Sequence, residues 1–341
     1  VKIMSVNISD GIKSGDLVIR ILTTNTSIST LLTEEKFGGK VIHPHSNGSK
    51  YFAEHGLAMS IEINQGATRN KCLFDTGGPK SSIISNAESM NIDFKDYDKF
   101  ILSHGHVDHF GGFSNVFPKL KEGCEVYLTP NSYNQNTILV PKSDHEFYSP
   151  EELTEKFRDL QKQNAFKFNI KLPSLNRTMV ENLANQYKLK IIETKNPVKL
   201  GPGIITSGEI EIFDETELTK GIYLLKSRKE FEKNTFRDEI SIYINIKDKG
   251  LVVLTGCGHT GVVNTIKHGQ KLTGINKIYA IIGGFHKEWE SIKNIEESIR
   301  FIEGLNPEIT CGMHCTGFEF NKLMSRHPSH TLGIVGTEFH L

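Results

Sequence analysis

The chain has 341 residues, of which 37% are hydrophobic and 23% charged, an ordinary composition for a globular protein with a sizeable core. Lys plus Arg equal Asp plus Glu at 40 each, so the formal net charge is zero and neither nucleic acid nor a membrane surface is indicated as a partner. No apolar run reaches the length of a membrane span and no secretory leader is visible, though a short one could precede Val1; five scattered cysteines fit reduced thiols in a cytoplasm.

Residues 16–22 read as a first strand. Residues 23–50, rich in Thr, Ser, Gly and Lys, read as a long loop with His43 and His45 at its surface. The second half of 54–63 alternates as a strand does, and a turn over 64–70 leads into Cys72-Leu73-Phe74. Asp75 follows directly; it either faces a site or caps the helix expected over Ser82 to Met90.

Phe100-Ile101-Leu102 reads as a short buried strand, and it runs into Ser103-His104-Gly105-His106-Val107-Asp108-His109. Side chains two apart in extended backbone point the same way, so His104 and His106 can converge on one ion. Gly105 lets the loop turn tightly. Asp108 and His109 are adjacent and diverge, suiting a second ion or the far side of the first. Imidazole and carboxylate together suit zinc, iron or manganese.

Glu125 to Leu128 is another strand. Residues 131–200 then change composition, with many Lys, Asn and Glu; this stretch reads as an inserted helical cap or lid within a single domain over 1–341. Ser149-Pro150-Glu151-Glu152 is a capping box that opens a helix to Lys162, and a second helix is expected over Thr178 to Tyr187. The core resumes with strands near 203–206, 241–246, 251–255 and 277–282, and a short one near Glu308. Helices follow over Val262 to Leu272 and Ser291 to Leu305, and a terminal strand is expected over Thr331 to Val335. One grammar recurs: apolar strand, then glycine with His, Asp or Cys, then helix, at Asp75, His104, Cys257/His259, His286 and His314. Open α/β sheets place their sites beyond strand ends, so these junctions would share one rim.

The His104-x-His106-x-Asp108-His109 run resembles the metallo-β-lactamase superfamily. Five further motifs resemble its 7,8-dihydropterin-6-ylmethyl-4-(β-D-ribofuranosyl)aminobenzene 5′-phosphate synthase-like branch: Ala53-Glu54-His55-Gly56-Leu57, Leu73-Phe74-Asp75-Thr76-Gly77, Thr255 to Gly261, Gly283-Gly284-Phe285-His286 and His314-Cys315-Thr316-Gly317. The resemblance implies an α/β four-layer αβ/βα sandwich. It also implies one or two divalent ions, zinc first, with iron, manganese or magnesium as alternatives. It implies a metal-dependent hydrolase or transferase acting on a phosphorylated or ester-type small molecule, such as a pterin diphosphate joined to an aminobenzene ribotide.

His314 stands where the superfamily's last ligand histidine falls. The bridging Asp expected after Thr255-Gly256 is replaced by Cys257, either a soft ligand or, preferably, an apolar filler, which makes His259 the better ligand candidate. Ser207-Gly208-Glu209 replaces the expected middle histidine loop, so Glu209 becomes a ligand, a general base or a turn residue. The metal set is then His104, His106, Asp108, His109, His259 and His314, with Asp75 orienting a ligand. Asp108, His259 and Glu209 are the catalytic candidates, and His55 and His286 the substrate-binding ones. The rivals are an iron-dependent redox enzyme of the same fold and a non-catalytic metal-binding sensor.

Overall fold

A computed structural model describes residues 5–28, 35–44, 51–65, 68–142, 146–227 and 230–341; His45 and His145 lie outside them. Two large sheets face each other. The first runs, in spatial order, Lys190–Glu193, Glu125–Leu128, Lys99–Ile101, Thr68–Phe74, Ala58–Gln65, Leu17–Thr23, Glu338–His340, Val41–Ile42 and Glu35–Lys36. The second runs Lys199–Gly201, Ile204–Thr206, Ile242–Ile246, Gly250–Thr255, Ile278–Gly283 and Ile309–Gly312.

The strand sequences dictate this layering. In the wholly apolar strand Gly250–Thr255, Val252 and Leu254 face the first sheet, while Leu251 and Val253 face helices. Both faces are buried, so the strand shows no polar alternation. Ile242, Ile244 and Ile246 meet Ile19, Ile61 and Phe74 in the core between the sheets. Leu73, Phe100 and Val126 pack outward on the helices Ser82–Ser89 and Arg177–Tyr187. Helices Val262–Thr273, Ile292–Leu305 and Phe318–Met324 cover the other side. The result is the four-layer sandwich that the motifs imply.

Thr68–Phe74, Lys99–Ile101 and Glu125–Leu128 are parallel, as are Gly250–Thr255, Ile278–Gly283 and Ile309–Gly312. Their C-terminal ends give the rim that carries Asp75, the 104–109 run, His259, His286 and His314. Strand Glu338–His340 lies inside the first sheet, between Leu17–Thr23 and Val41–Ile42.

Three expectations need correction. The stretch 331–335 is not a strand; Thr331 and Val335 donate amides to isolated partners, Thr310 and Thr26, and the closing strand is Glu338–His340. His43 is buried, with Nδ1 and Nε2 against the hydroxyls of Thr337 and Thr331 at 3.1 and 3.2 Å, so it is a core residue. The 131–200 stretch is only partly helical. Its helix Pro150–Lys162 begins with the full capping box, but Asn136–Pro141 and Phe166–Lys171 are strands. They join Ile222–Ser227 and Glu230–Lys233 in a third, four-stranded sheet.

That small sheet has two different faces. Leu139 and Phe166 pack under helix Pro150–Lys162 with Leu153 and Phe157. Ile138 and Ile222 turn the other way and pack with Leu218 and Phe236. Pro141 pairs with Phe166 but Val140 with Phe168, so one residue is inserted at a β-bulge. The bulge moves Phe168 onto the Ile138 face, opposite Phe166.

Candidate metal centre

The loop after Lys99–Ile101 is held from several sides. The Ser103 amide donates to Asp75 Oδ1 at 2.6 Å, and the Gly105 amide to Asp238 Oδ2 at 3.0 Å. Gly105 has an ordinary negative φ, so it is not needed for a tight turn as expected. A Cβ there would collide with the Ser132 backbone, so close approach is what demands glycine. His106 is the N-cap residue of the helical turn Val107–Phe110, which carries Asp108 and His109.

Four imidazoles are oriented by bonds at Nδ1. His104 Nδ1 meets Ser103 Oγ at 2.9 Å, His109 Nδ1 donates to Asp75 Oδ2 at 2.6 Å, and His314 Nδ1 donates to Asn25 Oδ1 at 3.0 Å. His259 Nδ1 faces Thr219 Oγ1 at 3.4 Å. Their Nε2 atoms therefore turn inward. His109 Nε2 and His314 Nε2 are 3.1 Å apart, and Asp108 Oδ2 is 3.1 Å from His314 Nε2 and 3.5 Å from His109 Nε2. His106 is inverted: its Nδ1 lies 3.1 Å from His259 Nε2. The buried Nε2 atoms of His104 and His106 have no hydrogen-bond partner among the described residues.

Cys257 sits between the two groups. Its Sγ lies 3.1 Å from His109 Nε2 and 3.3 Å from His314 Nε2. Among the described residues, Asp108, His109, Cys257 and His314 offer ligand atoms all within 4.8 Å of one another, and so do His104, Cys257 and His259. The thiol is thus in the middle of the cluster rather than a filler of apolar space. Asp108 and His109 bear on the same point rather than diverging.

This donor set fits a cation. His109 and His314 both direct Nε2 inward after committing Nδ1 outward, so two ring lone pairs face each other unless a proton or an ion lies between them. Burial disfavours the charged form of His104, His106, His259 and His314, and mutual proximity adds to it, so all four are held below the ordinary imidazole value. His106 and His314 fall to about 4. His109 is the exception: burial opposes its charge, but Asp75 and Asp108 outweigh burial and raise it to about 10. Neutral imidazole, carboxylate and thiolate are the ligand types of zinc and iron; burial pushes the Cys257 thiol up, so it would have to give up its proton to serve as one.

Two acidic residues that strand-end reading misses hold the loops. Glu239 Oε1 accepts the His259 amide at 2.7 Å, and Oε2 accepts the Thr260 amide at 2.7 Å and the Thr260 hydroxyl. Asp238 holds Gly105; burial raises it to about 6 and pushes Glu239 up as well. Asn25, from a stretch that reads only as polar loop, holds His314 and meets His55 Nδ1 at 3.2 Å.

The remaining candidates separate. Asp75 does not cap the following helix, whose N-cap is Ser81; both its oxygens serve the cluster. His55 stands at the mouth, 70% exposed, with Nε2 3.5 Å from Asp108 Oδ2. The His286 ring lies 4.3 Å from that of His259, tilted at 41°, and burial lowers it to about 3. Glu209 is not brought into either group; its carboxylate lies against Asn131 and Lys195 at 3.3 and 3.4 Å. Asp75, His286 and His314 all adopt positive φ, at 62°, 42° and 55°, a strained setting at of order 1–3 kcal/mol each that clusters at functional sites.

No protein-family model matches the chain. It is 31% identical over 278 residues, 80% of its length and 84% of the relative's, to the 7,8-dihydropterin-6-methyl-4-(β-D-ribofuranosyl)-aminobenzene-5′-phosphate synthase of Methanocaldococcus jannaschii. It is 26% identical over 297 residues to an uncharacterized protein of the same organism, covering 87% of this chain and 97% of that one. A crystallised metal-dependent hydrolase of the β-lactamase superfamily has a similar fold, with a TM-score of 0.66 at 22% identity, over 95% of this chain and 99% of that one.

Proposed function

Because the chain belongs to the metallo-β-lactamase superfamily, we propose that it is a metal-dependent transferase or hydrolase acting on a phosphorylated small molecule, with condensation of a pterin diphosphate and an aminobenzene ribotide as the leading reaction. The observation that carries it is the convergence of imidazole nitrogens with Asp108 and Cys257 at one point, His104 Nε2 being buried there without a hydrogen-bond partner among the described residues.

His104, His106 and His259 would hold one ion, and Asp108, His109 and His314 a second, with the Cys257 thiol between them. Divalent ions bound there supply Lewis acidity toward phosphate oxygens and a low-pKa water where hydrolysis is required. The protein side is electrostatic positioning. No lysine or arginine is among the hydrogen-bond or ring partners of the cluster in the described residues. Lys287 is nearby in sequence, but its ammonium is paired with Glu217 at 3.1 Å and buried. An anionic substrate therefore depends on the cation-binding set rather than on basic side chains. His286, neutral at physiological pH, is suited to hydrogen-bond a phosphate oxygen or the leaving group. Exposed His55 is suited to contact substrate at the entrance. The reading extends no catalytic role to Glu209.

The test is diphosphate release on mixing the two proposed substrates with protein of measured metal content. Stoichiometric release that vanishes on chelation and returns with zinc supports the reading. Full metal with no release, from these or from phosphodiester, lactone and thioester substrates, would overturn it. A second reading, an iron-dependent redox enzyme, is favoured only by the central Cys257 thiol; bound iron with oxygen uptake and no phosphate product would select it.

A further inference from the structure

Trp289, the single tryptophan of the chain, packs against Phe168 across the boundary between the rim and the small sheet. Their rings are near-parallel, at 24°, with centroids 6.4 Å apart. Both are partly open, Trp289 37% and Phe168 38% exposed. The contact continues a chain of rings from the cluster outward. His259 stacks on Phe236 at 4.6 Å and 9°, His286 lies 4.3 Å from His259, and Trp289 meets His286 edge-on at 5.4 Å.

A shift in backbone register fixes this placement. Without the bulge at 166–168, Phe168 would share the face of Phe166 and lie under helix Pro150–Lys162. With it, Phe168 points to the side of Phe236, whose ring covers His259. Bulges recur beside active sites, where they re-aim a side chain.

We infer that Phe168 and Trp289 form an aromatic slot that grips a flat heteroaromatic ring of the substrate while its anionic tail reaches the histidine cluster. The inference rests on the proposed function for the identity of that ring. In this structure the two rings rest on each other, near-parallel at 24°, and both are more than a third exposed, so the slot opens when the Phe168 side chain swings aside and a ring takes its place on Trp289. The small sheet then selects substrate: it supplies one jaw, and the rim loop after Ile278–Gly283 supplies the other.

The test uses metal-loaded full-length protein and two probes, 6-hydroxymethylpterin and inorganic diphosphate. Calorimetry measures affinity, and Trp289 emission, the only tryptophan signal, reports contact. For wild type, the pterin binds and changes Trp289 emission. F168A and W289A weaken pterin binding by at least about fivefold, as alanine does to ring stacking elsewhere, while F168Y and W289F hold it within about twofold. Diphosphate affinity stays unchanged in all four, because that probe carries no ring. Equal pterin affinity in wild type and F168A overturns the slot, as does a wild type that binds diphosphate but no pterin. The two readings fail separately. Ring binding that depends on Phe168 without any diphosphate release sinks the reaction and keeps the slot. Release with unchanged kcat/KM in F168A keeps the reaction and sinks the slot.

Discussion

Glu239 spans two consecutive amides and a hydroxyl with one buried carboxylate, and so fixes where His259 begins its loop. Replacing it by Gln keeps one acceptor oxygen and turns an NH2 donor toward one of the two N–H groups it serves. E239Q should lower metal affinity by 10- to 100-fold, on the scale of lost outer-shell partners, in a competition titration with a chelator. H106A and D108A remove donors from inside the set. They should abolish turnover and lower bound metal by elemental analysis; full metal at full rate in either would show that the ligands have been misassigned. Asp75 and Asn25 act one step back, through Nδ1 of His109 and His314. Their loss should weaken metal binding without removing it.

At the scale of elements, strands, helices and the rim were legible because each has a simple pattern. The capping box Ser149-x-x-Glu152 placed the start of helix Pro150–Lys162 to the residue. Replacing Ser149 by Ala should cost about 1 kcal/mol of stability in a urea titration and leave turnover unchanged, because the helix covers the far face of the small sheet. Ends of parallel strands pointed to His104, His286 and His314. Asp238 and Glu239 escaped because strand Ile242–Ile246 is antiparallel to its neighbour, which brings its beginning, not its end, to the rim. Nothing local reveals that direction. The bulge that turns Phe168 was equally hidden, since alternation counts residues and a bulge inserts one. Cys257 read as a filler because a buried thiol beside apolar strands has the same local sequence whether or not histidines close around it, as His109 and His314 do here.

At the scale of the molecule, the histidine cluster makes stability depend on pH. His106 and His314 have folded values near 4, and His286 near 3, against an ordinary 6.5. The unfolded chain therefore binds more protons on acidification, and the stability present above pH 6.5 is lost as pH falls toward 3–4. His109 works in the opposite sense: raised to about 10, it favours the fold below 6.5, and its contribution fades as pH rises through 10. Metal-free protein should melt at its highest temperature between these windows, and Tm should fall steeply from pH 6 to pH 4. Metal raises Tm by mass action at neutral pH and loses its grip in acid, where protons compete for the same nitrogens. Melting curves of chelated and zinc-loaded protein across pH 4–10 check both statements; a flat chelated profile would contradict them.

Glu338–His340 fills a gap between two strands that come more than 290 residues earlier in the chain. Until it docks, Leu17–Thr23 and Val41–Ile42 each present a bare ladder of amides and carbonyls in the middle of what becomes a continuous sheet. Closing so long a loop is entropically slow, so this seam should be the last part of the first sheet to knit and the first place where a stalled or clipped chain captures a neighbour. Adding a free peptide of sequence Thr-Glu-Phe-His-Leu to a chain cut after Gly336 would then mend the seam and keep it in solution.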